Sequence, residues 1–378
     1  MNEELFVTRS ARLTLNDEDV VLIKKIAQDI NDWSIVYRIA SSHSVSPIIY
    51  YAVEKHSLGN VIPDNVKAHF KNDYYQTAIR NSQLLGFIEN TAMTFNKKIV
   101  LLKGMDLALS LYPNIGLRSM CDVDIFINDE SYEKLIDLMK NSDAVFQPIF
   151  KSNTHKKLLE KEEKNIYPIF YRHGRIEIHR YIPGFRKNLK DSAWLTATPV
   201  KGKTNLHRLK PEYMLLHLCV HVYRHAYMFS YLRMYCDINE YIRKYQTEIN
   251  WNFVIEIINE YNLKEKVSWI FSYINTNFQT PFPQCVYANL DIYKNYIPLE
   301  KLLHGFKEYQ FIKTTNSFLK EFDNNHEKVE YVFRSFFPNK KWLYDHYKCK
   351  GGNFYIDTLN YCKYFIEYSH SLTKRFLK

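Results

Sequence analysis

Residues 99–127 read IVLLKGMDLALSLYPNIGLRSMCDVDIFI, and this stretch decides the fold. Ile99, Val100, Leu101 and Leu102 form a short continuous apolar run between lysines, followed by Gly104, which suits a buried strand better than a helix. Met105 to Tyr112 resumes helical spacing until Pro113 stops it. Cys121 to Ile127 then alternates acid with aliphatic and predicts a second strand. Side chains two apart on a strand share a face, roughly 7 Å from one another, so Asp122 and Asp124 project together while Val123 and Ile125 turn into a core.

Working outward, Asn128-Asp129 with Glu130 and Glu133 opens a helix over Tyr132 to Met139, with Asp129 expected as its cap. After a charged helical stretch, the β-rich runs Ile166 to Arg172 and Arg175 to Tyr181 flank His173-Gly174 and predict a hairpin. In its second arm Glu177 and His179 share one face, Ile176 and Ile178 the other. Upstream, residues 17–95 carry apolar positions at helical spacing, with Asn16 or Asp17 to cap the first helix. From Pro211 the chain reads as helix to its end, broken at Pro281, Pro283, Pro298, Pro338 and Gly351-Gly352. The expected fold is α+β: a small mixed β-sheet core over 96–200, flanked by an N-terminal helical region (1–95) and a C-terminal helical domain (201–378).

Composition narrows the class. With 378 residues, 46% hydrophobic and 24% charged, the chain is neither disordered nor a coiled coil. The 51 Lys plus Arg against 41 Asp plus Glu give a net charge of +10, which permits an anionic partner without requiring one. Six scattered cysteines without a CxxC pair read as reduced thiols. The N-terminus lacks the basic-then-apolar order of a secretion signal, and charged or His residues interrupt every apolar stretch before the ~18 residues a membrane span needs. The expectation is a cytoplasmic protein with no membrane partner.

Asp122 and Asp124 repel one another on an apolar strand, and a hard divalent cation taking oxygen ligands from both relieves that repulsion. An isolated DxD is more often the wet face of an edge strand, but Glu177 repeats the geometry and becomes a third carboxylate if the two strands are neighbours. Lys103 and Gly104 stand where a strand gives way to a helix, an anion-binding corner in which Arg118 is either a phosphate ligand or the partner of an acid holding the loop. His217, His221 and His225 recur every four residues; the outer pair is about 12 Å apart along a helix, so one straight helix lends at most two to a single zinc. Packed core histidines are the simpler reading, with His179, His217 and His221 as candidates for lining a cleft. The basic stretches Arg186 to Lys190 and Lys201 to Lys210 read as solvated surface. The late aromatics, Tyr331, Phe333, Phe336, Phe337, Trp342 and Tyr344, read as core.

The segment from LLKG to CDVDIFI, followed by IEIH, resembles the uncharacterised nucleotidyltransferase family of the DNA polymerase β-like superfamily, whose members show an LKG, a downstream Arg, a DxD strand and a later ExH-type element. LKPEYMLLHLCVHVYRHAY, LRMYCDINEYI and FFPNKKWLYDHY look like that family's C-terminal helices. The resemblance implies that Asp122, Asp124 and Glu177 hold Mg²⁺ or Mn²⁺ and are catalytic. It also implies that Lys103, Gly104 and Arg118 bind the nucleotide's phosphates, in a corner where better-known relatives carry Gly-Gly or Gly-Ser. The implied reaction transfers a nucleoside monophosphate from a nucleoside triphosphate to a hydroxyl, with a small-molecule acceptor favoured over nucleic acid. Two alternatives stand beside it: a non-catalytic nucleotide- or ligand-binding regulatory module, and a toxin-like tRNA-modifying nucleotidyltransferase.

Overall fold

The computed structural model describes residues 2–146, 169–172, 174–182, 185, 189–226, 231–292, 303, 325–347 and 354–376. Helices α1 (Asn2–Ser10), α2 (Asp17–Gln28), α3 (Trp33–Ser42), α4 (Ser46–Lys55) and the long α5 (Asp64–Phe95) form the N-terminal region. Asn16 is the cap of α2, its side chain accepting the Asp19 N–H at 2.7 Å. Helix α1 precedes the first expected helix; its apolar face is essentially Phe6 and Val7, both fully buried, too few residues to show a period.

The core follows as β1 (Ile99–Leu102), α6 (Lys103–Ser110), β2 (Asp122–Phe126), α7 (Asp129–Lys140), β3 (Val145–Phe146), β4 (Ile169–Tyr171) and β5 (Gly174–His179). Asn128, not Asp129, is the N-cap residue of α7; Asp129 begins the helix and accepts from Arg180 Nε at 2.7 Å. The hairpin is present as β4 and β5, antiparallel with Tyr171 opposite Gly174; its expected beginning, 166–168, and the charged helical stretch before it lie outside the described residues. Next come α8 (Leu189–Leu195), β6 (Thr198–Pro199) and β7 (Leu206–Arg208), strands of two and three residues, too short to pattern. The C-terminal helices are α9 (Pro211–Ala226), α10 (Leu232–Tyr245), α11 (Trp251–Glu260), α12 (Lys264–Phe278), α13 (Gln284–Asn289), α14 (Asn325–Phe336), α15 (Lys340–Tyr347) and α16 (Phe354–Phe376).

Among the described residues the strands form one mixed seven-stranded sheet in the order β3-β4-β5-β2-β1-β7-β6. Strand β1 pairs antiparallel with β2 and parallel with β7, and β2 pairs parallel with β5. The fold is therefore α+β, a mixed sheet flanked by helical regions. The pleat divides its faces. Ile99, Leu101, Val123, Ile125, Ile176 and Ile178 pack with Leu84 and Ile88 of α5 and with Leu135 and Ile136 of α7. Val100, Leu102 and Phe126 face the other way, into a larger apolar cluster that joins Phe6 and Ile48 of the N-terminal helices to Tyr235, Ile238 and Ile274 of the C-terminal ones. Asp122 and Asp124 share the pleat side of Phe126, so the acids lie on the face that looks toward α10. No helix among the described residues is long and apolar enough to cross a membrane.

Candidate active site

Register assembles the site. In the parallel pairing of β2 with β5, Asp124 stands opposite Glu177, Asp122 opposite Arg175 and Phe126 opposite His179. In the antiparallel pairing of β1 with β2, Leu102 lies opposite Asp124, which delivers the next residue, Lys103, to the same carboxylate. Lys103 Nζ lies 2.9 Å from Asp124 Oδ1, and His179 Nε2 lies 2.8 Å from the same oxygen. The carboxylate oxygen accepts both bonds, so His179 carries its proton on Nε2 in this arrangement, and its buried Nδ1 has no hydrogen-bond partner. One ligand atom each of Asp124, Glu177 and His179 lie within 4.8 Å of one another.

Asp122 belongs to the same face but to a different contact. Arg175 bridges it to Glu177, with Nη2 3.2 Å from Asp122 Oδ2 and 2.7 Å from Glu177 Oε1. Asp122 and Arg175 are open to solvent, whereas Asp124 and His179 are buried. Arg175 went unremarked in the sequence, although it shares the alternating face of Glu177 and His179 and the same period of two marks it.

These contacts set the electrostatics. Burial alone would raise the Asp124 carboxyl, but Lys103 and the hydrogen bond from His179 overcome it and hold Asp124 well below the usual carboxylate range. Glu177 moves the opposite way: burial and the charge of Asp124 push it up, against the pull of His179, Arg175 and Lys103. Two neighbouring carboxyls with opposed shifts give one permanent anion and one group able to take up a proton.

Lys103 itself sits at φ +43°, in the left-handed region that a lysine rarely adopts, and starts α6 without a side-chain cap. Gly104 follows because nothing larger fits: a Cβ there would come 2.5 Å from Arg118 Nη1. Arg118 is buried, and its Nη2 donates to Asp237 Oδ2 of α10 at 2.8 Å, while the Tyr112 hydroxyl donates to Oδ1 of the same carboxylate at 2.6 Å. Of the two roles open to Arg118 in the sequence, the structure displays the acid-paired one. Asp237 and its neighbour Arg233, one turn earlier, were not anticipated; their spacing of four, which puts a base and an acid on one helix face, is the signal.

The histidines of α9 lie apart from this group. His217 is fully buried and its ring centroid is 6.4 Å from that of His221; among the described residues neither belongs to a cluster able to hold a metal. The side chain of His225 and residues 186–188 of the first basic stretch lie outside the described residues. In the second stretch Arg208 does not stay in solvent: its Nε lies 3.3 Å from the buried carboxylate of Asp106 on α6.

The donor set of two carboxylates and an imidazole, with an unpartnered buried Nδ1 on the imidazole, is one that could hold a metal ion. Comparison with curated proteins and with solved structures finds no match. The model of a family described as uncharacterised nucleotidyltransferase matches residues 29–279. That span is well over half the chain and contains every residue of the site just described, so this protein belongs to the uncharacterised nucleotidyltransferase family.

Proposed function

We propose that this nucleotidyltransferase is metal-dependent and transfers a nucleoside monophosphate from a nucleoside triphosphate to a hydroxyl of a small-molecule acceptor, releasing pyrophosphate. The observation that carries the reading is the convergence of Asp124, Glu177 and His179 beside Lys103, on strands that register alone brings together. Asp124 and Glu177, with Asp122 at the rim or His179 behind, are the residues that would hold the cation. When bound, the cation neutralises charge on the phosphates and orients them for in-line displacement. Lys103 contributes a positive charge at the uncapped start of α6, and Gly104 lets a phosphate oxygen approach the backbone there. Glu177, the carboxyl with the raised affinity for protons, accepts the proton of the attacking hydroxyl. Cytoplasmic placement belongs to the same proposal.

A second reading, a non-catalytic module that binds a nucleotide or another ligand, is favoured by one observation: each of the three carboxylates already has a cationic side chain, Lys103 on Asp124 and Arg175 on Asp122 and Glu177. One experiment separates the two. Full-length protein is incubated with each of the four ribonucleoside triphosphates, with and without Mg²⁺ or Mn²⁺, while pyrophosphate release and the melting temperature are followed. Metal-dependent stabilisation by a nucleotide, with pyrophosphate release lost in Asp124→Asn, supports transfer. Stabilisation that ignores both metal and that substitution supports the binding module. A salt-sensitive gain with added tRNA would move the acceptor from small molecule to nucleic acid.

A further inference from the structure

Among the described residues, Lys103, Arg175, Arg118 and Arg233 stand about the carboxylate face, and the first three are committed. Lys103 is held by Asp124, Arg175 by Asp122 and Glu177, and Arg118 by Asp237. The fourth is Arg233, in the first turn of α10. Asp237, one turn later on that helix, accepts from Arg118 on one oxygen and from Tyr112 on the other, and no hydrogen bond or ion pair joins it to Arg233. Arg233 Nε is shielded from solvent and has no hydrogen-bond partner, and among the described residues the guanidinium has no ion-pair partner. The charges that act on it are those of Arg118, Asp237, Tyr112 and Asp122, which places it between the Arg118–Asp237 lock and the rim of the carboxylate strand.

Arg233 is half-buried, with its Nε cut off from solvent and no counter-charge in contact among the described residues, and arginine does not escape that cost by losing its proton. Burial, together with the repulsion of Arg118, pushes Arg233 down from its ordinary range, and the more distant charges of Asp237 and Asp122 do not offset it. Asp122, the other carboxylate whose charge acts on Arg233, is met by Arg175. What remains is a ligand. A planar fork of donors matches two oxygens of a phosphate, and the uncapped start of α6, against which Arg118 packs at Gly104, presents backbone N–H groups to the same kind of anion.

We propose that Arg233 is a phosphate-binding residue, gripping the terminal phosphates of the nucleoside triphosphate and then the pyrophosphate leaving group from the α10 side of the site. The identity of the anion rests on the nucleotidyl-transfer reading; the binding of a polyphosphate does not. Arg118 is then the positioning residue: by occupying Asp237 it keeps Arg233 uncommitted.

The test uses inorganic tripolyphosphate, titrated calorimetrically into the full-length chain without added metal, alongside thermal melting. The wild-type chain binds it with an affinity that falls as salt rises. Arg233→Gln weakens binding by about tenfold or more, and Arg233→Lys, which keeps the charge but not the fork, falls between. Arg233→Gln melts close to the wild-type temperature, since the half-buried charge it removes has no ion-pair partner to lose. The proposal is overturned if wild type does not bind tripolyphosphate, if Arg233→Gln binds within twofold of wild type, or if that variant loses stability as Asp237→Asn does, the mark of a structural residue. Binding through Arg233 combined with no pyrophosphate release from any nucleotide would sink the transfer reading and leave the polyphosphate site standing.

Discussion

Asp124 and Asp122 sit two residues apart on one strand face, yet their surroundings give them different consequences when changed. Asp124 is buried between Lys103 and His179, so Asp124→Asn leaves an ammonium without its counter-charge and should cost about 3 kcal/mol of stability as well as activity. Asp122 meets Arg175 in solvent, where such a pair contributes at most about 1 kcal/mol, so Asp122→Asn should melt close to wild type. Loss of pyrophosphate release in a well-folded Asp122→Asn variant would therefore assign Asp122 to the chemistry, and retained release would confine the metal to Asp124, Glu177 and His179. Asp106 offers a pH test. Burial, against the opposing charge of Arg208, pushes its carboxyl up to about 6. The folded chain thus holds that proton to higher pH than the unfolded chain, and this contribution to stability is present below about pH 4 and lost as pH rises to about 6. In urea melts at pH 4 and pH 7, Asp106→Asn should lack roughly 3 kcal/mol of the wild-type fall between the two. The acids of the site were legible because a period of two leaves no other face for them. Arg175 and Arg208 obey the same period, but a surface and a buried arginine look alike in sequence.

At the level of elements, the link between α6 and α10 makes the sharpest prediction. Asp237→Asn leaves Arg118 charged and buried with no anion, a loss of about 3–5 kcal/mol that chemical denaturation would reveal. Gly104→Ala strikes the same link from the other side. Its new Cβ would meet Arg118 Nη1 at 2.5 Å, and because that guanidinium is anchored on Asp237 it cannot swing away freely. A loss of about 1–3 kcal/mol is expected, relieved in part when Arg118 is shortened as well. Elements long enough to show a period were readable: α2, α5, β1, β2 and β5. Strands β6 and β7 span two and three residues, and a parallel pairing of β7 with β1 is fixed by the tertiary arrangement rather than by any local pattern. The late aromatics are not the core that helical spacing alone predicts: Phe333 on α14 is 52% exposed and Phe337, just past its end, 42%, while Phe336, Trp342 and Tyr344 are half-buried.

Across the whole molecule, the contacts made by Asp124 and Asp237 join distant parts of the chain. Lys103 reaches Asp124 across 21 residues, His179 reaches it across 55, and Arg118 finds Asp237 across 119. Local sequence could propose these residues but not their meeting, since pairing β2 with β5 rather than with another strand is a decision of the completed sheet. A C-terminal truncation ending before Leu232 should accordingly retain the carboxylate strands but aggregate or melt broadly, as size-exclusion chromatography and calorimetry would show, because Tyr235 and Ile238 leave the larger apolar cluster with it. The span between Arg118 and Asp237 also orders events during synthesis. When the strand bearing the acids has left the ribosome, the helix that locks the neighbouring guanidinium is still untranslated, so a growing polypeptide carries the ingredients of a reactive centre long before it can hold them in place. Premature termination anywhere in that interval should leave fragments in which Arg118 lacks the carboxylate that anchors it, since Asp237 lies on the missing α10.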